Sequence, residues 1–263
     1  MPRAPAIADD ALMQPRIFFA HAFAAGEWLA LPPAESRHLQ VLRLQPGAAV
    51  LLFNGSDGLE WQAEITRIGR SEVELRIGSG MPVERELPVA VTLALGVPAN
   101  ERMDALVEKA TEMGAAAIQP LICEHSVVRL AGDRAEARRR HWSAVAASAS
   151  EQCGRVRVPS VGLPMKLDAW LRNLDAAGSA SLPERRLVLS LEADAGLPTT
   201  WSSALLSASA LVVLSGPEGG LSAGEEAAAV AAGFVRTSLG PRVLRADTAP
   251  LALLAWLGLA SPG

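Results

Sequence analysis

Two glycine-rich segments near the carboxyl end of this 263-residue sequence carry its clearest chemical signal. The first runs from Leu211 through an apolar strand pattern into Gly216-Pro217-Glu218-Gly219-Gly220, then to Ser222 and Glu225. Those last two residues have the spacing of a capping box, which starts a helix. The second, Ser238-Leu-Gly-Pro-Arg-Val-Leu-Arg-Ala-Asp-Thr-Ala249, repeats the plan: a strand end, a glycine turn, two arginines and a helix start. Glycine lets a ligand meet the main chain with no side chain in the way and supplies positive φ at tight turns. On shape alone, the first segment is more readily an ordinary strand-to-helix turn.

Other chemistries fall away by inspection. The chain has no Gly-Lys dipeptide and therefore no Walker A loop, and Gly78-x-Gly80 is followed by Val83 where a dinucleotide fingerprint needs glycine. His21, His38, His125 and His141 lack metal-ligand spacing, and no serine stands in a G-x-S-x-G elbow. Cys123 and Cys153 form no C-x-x-C pair and read as buried, reduced thiols.

Half the residues are hydrophobic and a fifth are charged, which suits a globular protein with a full core. The longest apolar stretch, Pro250 to Ala260, is too short to span a bilayer, and no basic-then-apolar leader opens the chain. A cytoplasmic protein is expected. Net charge is −4, so any RNA partner must be met locally. Between Arg129 and Arg157, seven arginines face Asp133, Glu136 and Glu151, a net of +4 that fits either phosphate contacts or a solvated helix face.

The elements that would position these residues fall into two kinds. Residues 16 to about 85 read as short strands and turns, with Ala48–Phe53, the Asn54-Gly55-Ser56-Asp57-Gly58 turn and the alternating Glu60–Arg67 as the clearest. Met81 to Pro88 is a proline-bounded link. Beyond it, strands at Val89–Leu95, Ala117–Leu121, Val156–Val161, Leu187–Leu191, Leu211–Leu214 and Phe234–Ser238 alternate with helices at 100–113, 134–153, 200–208, 222–232 and 247–257. That alternation predicts a mostly parallel sheet with helices on both faces and a ligand beyond the strands' carboxyl ends. On the helix from Arg134, Trp142, Val145, Ala149 and Cys153 form the apolar side, while Ser148, Glu151 and Arg155 take another. From spacing alone, Glu151 and Arg155 make a solvated ion pair worth about 0.3–0.5 kcal/mol.

Together the two glycine segments resemble the signature of the RsmE branch of the SPOUT RNA methyltransferases, in which GPEGG is followed by LGxRILRxETA. The resemblance extends to Arg102-Met-Asp, Lys109 to Gly114, Gln119-Pro120, Ser126 to Leu130, Glu151-Gln-Cys-Gly-Arg155, Pro15-Arg16-Ile17 and His38 to Arg43. It implies an α/β fold in which a tail (1–15) and a small PUA-like RNA-binding β-barrel domain (16–85) precede a Rossmann-like SPOUT domain (86–263). That second domain would end in a trefoil knot around S-adenosyl-L-methionine. The implied cofactor contacts are Leu191, Gly216, Pro217, Glu218, Gly219, Leu239, Gly240, Arg242, Val243 and Leu244. Arg16, Arg43, Arg129 and Arg245 are the implied RNA contacts, and Glu151 and Arg155 would handle the uracil.

The implied activity is metal-free methylation of N3 of a uridine in 16S rRNA, on the assembled small ribosomal subunit, by a homodimer. A ribose 2′-O-methyltransferase of the same class and a non-catalytic RNA-binding protein of the same fold are the alternatives. Three departures from the pattern stand out: Asp247 replaces a glutamate, His125 replaces an arginine that precedes the Ser126 stretch, and the Asn100-Glu101-Arg102 segment lacks the lysine usual nearby.

Overall fold

The computed structural model describes residues 14–99, 102–176, 184–192, 194–196 and 208–260. The chain divides into two compact units, one of residues 1–85 with 150–158, the other of residues 86–149 with 159–262.

The first unit is built on β1 (Arg16–Phe18), β2 (Trp28–Leu31), α1 (Pro33–Val41), β3 (Ala49–Phe53), β4 (Leu59–Ile68) and β5 (Val73–Pro82). The strands form one sheet in the order β1-β3-β4-β5-β2, with β1 parallel to β3 and the other pairs antiparallel. Register shifts at Trp61/Ala63 and Ile65/Arg67 increase the local twist of the long β4–β5 pair and curl the sheet around its core. Alternate residues Ala63 and Ile65 point inward, against Ile17, Leu31, Leu52, Leu75 and Ile77.

Helix α1 stands where only strands and turns were expected. Leu39 is its only fully buried apolar residue, so it shows no amphipathic stripe. It is anchored instead by the buried Ser36 hydroxyl, which donates to the Leu31 carbonyl and accepts from the Val73 N–H, both at 2.9 Å.

The second unit comprises β6 (Ala90–Gly96), α2 (Arg102–Glu112), β7 (Ala117–Ile122), most of α3 (Gly132–Cys153), β8 (Ser160–Val161), β9 (Met165–Lys166), α4 (Leu167–Ala176), β10 (Glu184–Leu189), β11 (Ala210–Ser215), α5 (Ala223–Ala231), β12 (Val235–Thr237) and α6 (Thr248–Ala260). Its sheet is parallel throughout, in the order β12-β10-β11-β6-β7-β8, with β9 also pairing β7. A parallel sheet is covered on both faces, which explains the unbroken apolar runs of β6 and β11. Ala94, Val188, Val212 and Leu214 face Trp170 of α4 and Ala229 of α5.

The expected strand over Val156–Val161 shrinks to Ser160–Val161, because Val158 and Arg157 bond to the Gly55 turn of the first unit instead. β9 and α4 were not anticipated, although Leu167, Trp170, Leu171 and Leu174 recur at helical spacing. The helix expected over 200–208 lies outside the described residues but for its last position. Cys123 is buried, and burial pushes its thiol up to about 12; Cys153 is only half-buried.

Candidate functional site

Strands β12, β10 and β11 lie side by side, and the loops leaving their carboxyl ends line one cavity of about 610 Å³. This is where open α/β sheets place ligands. Leu189 to Glu192 come from the end of β10 and the loop after it, Ser215 to Leu221 from the end of β11 and its loop, and Thr237, Leu239 and Arg242 to Ala246 from the end of β12 and its loop, with Arg102, Glu226 and Ala249 completing the wall. Every residue expected to contact a cofactor is therefore at the cavity except Gly240. That glycine has φ +105 and takes the sharp turn that sends Leu239 and Arg242 back toward the wall.

The first glycine loop is held from both ends. Gly220 N–H closes a turn onto the Pro217 carbonyl at 2.8 Å, and Ser222 and Glu225 form the expected capping box, which contributes about 1 kcal/mol. The Glu218 carboxylate accepts from the Ala99 N–H at 3.1 and 3.2 Å and from Arg102 at 3.4 Å, so it braces the loop after β6. His125 Nδ1 lies 2.9 Å from the Gly219 carbonyl and 3.3 Å from that of Gly220. Both neighbours are acceptors, so this nitrogen carries the proton, and His125 serves the glycine turn.

Gly96 and Gly216 allow the end of β6 and the glycine loop to pack closely. A Cβ on Gly96 would lie 2.5 Å from the nitrogen and Cδ of Pro217, and one on Gly216 would lie 2.8 Å from backbone atoms of Gly220 and Leu221.

A second support was missed in the sequence. Glu226 Oε1 accepts from Ser190 Oγ at 2.8 Å and from Arg236 Nε at 2.7 Å, and Arg236 also pairs with Asp194 at 3.0 Å. These contacts lower the energy of the charged guanidinium and raise its pKa, chiefly through the Glu226 hydrogen bond. Ser190 and Glu226 both line the cavity. The only signal in the sequence was their position beside a strand end and a helix start.

Arg16, expected to contact RNA, does not face solvent. Its Nε donates to Glu60 Oε1 at 2.8 Å, while Nη1 donates to the carbonyls of Ser150 and Glu151 at 2.9 and 2.8 Å. Nη2 donates to those of Gly154 and Arg155 at 3.1 and 3.2 Å. All five N–H groups are used, the Phe53 ring lies 4.8 Å from the guanidinium carbon, and the side chain is 11% exposed. No donor is left for a phosphate in this arrangement.

Arg43 is exposed on the turn after α1 at φ +55, Arg129 is exposed before α3, and Arg245 is exposed at the cavity wall with its carbonyl capping the first turn of α6.

Glu151 and Arg155 cluster with the first unit and do not line the cavity. The helical spacing assumed for them fails: α3 ends at Cys153, Gly154 turns the chain at φ +87, and Arg155 is 3% exposed. A solvated surface pair is thus excluded. Glu151 Oε1 accepts the Phe18 N–H at 2.8 Å, and burial pushes its carboxyl above the usual carboxylate range, partly offset by that hydrogen bond and by His38 and Arg16.

The +4 stretch is likewise reduced. Arg139 pairs with Glu136, Arg155 is buried and Arg157 donates to the Ser56 carbonyl, whereas Arg129, Arg134, Arg138 and Arg140 remain exposed.

Comparison with known proteins decides the family. Residues 85–258 match the model of an RNA methyltransferase domain, and residues 31–78 match that of an RNA methyltransferase PUA domain. The chain is 33% identical to ribosomal RNA small subunit methyltransferase E of Mycobacterium tuberculosis over 83% of this chain and 81% of that protein. The chain belongs to the ribosomal RNA small subunit methyltransferase E family.

Among the family's other members, the Synechocystis protein is 32% identical, covering 86% of this chain and 71% of its own. The crystal structure of the Neisseria gonorrhoeae methyltransferase E, bound to S-adenosyl methionine, superposes with a TM-score of 0.82 at 31% identity, covering 94% and 97% of the two chains. A putative methyltransferase of Legionella pneumophila, in complex with the same cofactor, gives 0.83 at 33% identity, covering 94% and 98%. Among the described residues, no helix is long and apolar enough to cross a membrane, and no group of three or more His, Cys, Asp or Glu residues is arranged to hold a metal.

Proposed function

We propose that this chain methylates N3 of a uridine in 16S rRNA, using S-adenosyl-L-methionine and acting on the assembled small ribosomal subunit. The observation that carries the reading is the convergence of three strand-end loops on one cavity in a chain of this family. The cavity fits the cofactor's chemistry. Its volume lies in the usual range for small-molecule sites, Leu191, Leu239 and Val243 offer apolar surface, and Gly216 to Gly220 expose main chain. Arg102, Arg242, Glu192 and Glu226 supply both charges for a zwitterionic amino-acid end.

The bound cofactor supplies an electrophilic methyl group on a sulfonium. The residues of this chain do the rest: Leu191, Gly216, Pro217, Glu218, Gly219, Leu239, Arg242, Val243 and Leu244 hold and orient it, with Gly240 shaping the loop. Glu151 takes the imide proton, a role that rests on the resemblance of Glu151-Gln-Cys-Gly-Arg155 to the family pattern; its half-buried carboxyl is raised above the usual carboxylate range, a direction that suits a proton acceptor. Arg155, itself buried, handles the uracil with it. The trefoil path belongs to the same carboxyl-terminal segment that supplies all three loops.

A second copy of the chain covers the apolar surface left on α6 and at the cavity rim, where Leu259, Val243 and Leu191 are 89%, 78% and 70% exposed. The enzyme works in the cytoplasm, where its substrate is made, and without a metal.

Digestion to nucleosides of small subunits incubated with the protein and methyl-labelled cofactor is expected to give labelled 3-methyluridine. A ribose-methylated nucleoside would move the chain to the 2′-O branch, and no label would leave it an RNA-binding protein.

RNA is held by the exposed arginines. Arg134 and Arg138 share one face of α3, and Arg129 and Arg43 have no ion-pair partner among the described residues. Replacing Arg134 and Arg138 together by alanine is expected to weaken RNA binding and lower the slope of log K against log salt by about 2. Filter binding between low and moderate salt reads this directly.

A further inference from the structure

The guanidinium of Arg16 makes five hydrogen bonds, four of them to the carbonyls of Ser150, Glu151, Gly154 and Arg155. The last carbonyls of a helix have no partner inside it. Here α3 ends at Cys153, and the planar fork of one arginine takes up the end of the helix and the turn beyond it at once. Glu60 holds the fork by Nε, and Phe53 covers its face. Two residues further along β1, the Phe18 N–H donates to Glu151 Oε1. The backbone and the carboxylate of Glu151 are therefore both fixed from β1.

We infer that Arg16 is a positioning residue for methyl transfer, which sets the Ser150–Arg155 segment so that Glu151 is held ready for the uracil, and that it makes no phosphate contact. The inference rests on the proposed role of Glu151. It makes a distinction that charge alone does not. Lysine serves well as a point charge for a phosphate, but its three donors on a flexible stem cannot span five acceptors. Arg16→Lys is thus the informative change, because a phosphate contact tolerates it and a fork does not.

Arg16 also acts on the proton. The charged groups bearing on Glu151 are Arg16 on β1 and His38 and Glu35 on α1, and among them Arg16 and His38 favour the ionised carboxylate. Loss of the Arg16 charge raises the Glu151 carboxyl further, so the acidic limb of the rate profile moves to higher pH. A residue that merely held the fold together would lower the rate without moving that limb.

The test uses the full-length protein with Arg16→Lys, Arg16→Gln and, in parallel, Glu151→Gln. Cofactor affinity by calorimetry serves as the control for folding, since no cavity residue is bonded to Arg16. Affinity for small subunits is measured against salt, and single-turnover rates against pH.

Both Arg16 variants are expected to bind cofactor and RNA within about twofold of the wild type, with an unchanged salt slope. The rate should fall at least tenfold in Arg16→Lys and further in Arg16→Gln, and the acidic limb should move upward in Arg16→Gln. Wild-type turnover in Arg16→Lys would overturn the inference. So would a loss of RNA affinity with a salt slope lower by about 1, or a loss of cofactor binding in Arg16→Lys. A wild-type rate in Glu151→Gln beside a slow Arg16→Lys would reject the role given to Glu151 while leaving Arg16 as the organiser of its segment.

Discussion

Alanine at Gly96 is expected to weaken S-adenosyl-L-methionine binding by about a hundredfold in calorimetry. Its Cβ would stand 2.5 Å from the nitrogen and ring of Pro217, and neither the β6 backbone nor a proline ring can step aside. Overpacking of this kind costs about 1–3 kcal/mol, and 1.4 kcal/mol is tenfold in affinity. The upper figure applies because the displaced residue begins the loop that lines the cavity. Gly216→Ala should behave similarly, since its Cβ would meet backbone at 2.8 Å.

The neighbouring glycines provide the contrast. A Cβ on Gly219 would meet the His125 side chain, and at Gly220 it would meet nothing within 4 Å, so only the strain of φ +71 remains. Gly220→Ala should therefore cost about 1–2 kcal/mol. Equal cofactor affinity in Gly96→Ala and the wild type would place the cofactor elsewhere.

Glu151→Gln should lower the single-turnover rate by about 10²–10⁴ while leaving cofactor affinity unchanged, the range expected for loss of a general base. In the wild type the rate should rise with pH through a limb above the usual carboxylate range, because burial raises the Glu151 carboxyl. The variant should lose that limb. Its stability should move the other way. A carboxyl raised in the folded state binds its proton more tightly there, so its favourable contribution is complete below the unfolded pKa and is lost as pH rises through the folded one. Above the unfolded pKa the carboxyl opposes folding, and glutamine removes that opposition. A melting temperature for Glu151→Gln at or above that of the wild type is expected, and it separates a lost base from a damaged fold.

The parts of the molecule visible in the sequence are those with a local periodicity. The apolar runs of β6, β7, β10 and β11 and the stripe of α3 stand within a few residues of their expected limits, because a parallel sheet and its covering helices each impose one repeat. The Ser222–Glu225 cap is equally local. Helix α1 escaped notice because its anchor is a serine hydroxyl bonded to Val73, thirty-seven residues away. Glu226 and Ser190 went unseen for the same reason, being thirty-six residues apart. The expectation for Arg16 rests on its type, which suggests a phosphate, and nothing near it in sequence announces acceptors more than 130 residues downstream. For Glu151 and Arg155, the error lay in extending the helix past Gly154, whose positive φ ends it.

The amino-terminal unit is interrupted in the chain: it takes in residues 1–85 and then, after an excursion, Ser150–Val158. During synthesis, strands β1 to β5 leave the ribosome well before the segment that satisfies Arg16 and pairs with the Gly55 turn. Chains grow at roughly 5–20 residues per second, so the first unit waits roughly 4–15 s for its last piece. Through that interval Arg16 has no helix end to cap and β1 lacks the carboxylate that accepts from Phe18. The first unit is therefore not closed when its own strands are complete, and its closure is timed by the arrival of the end of α3.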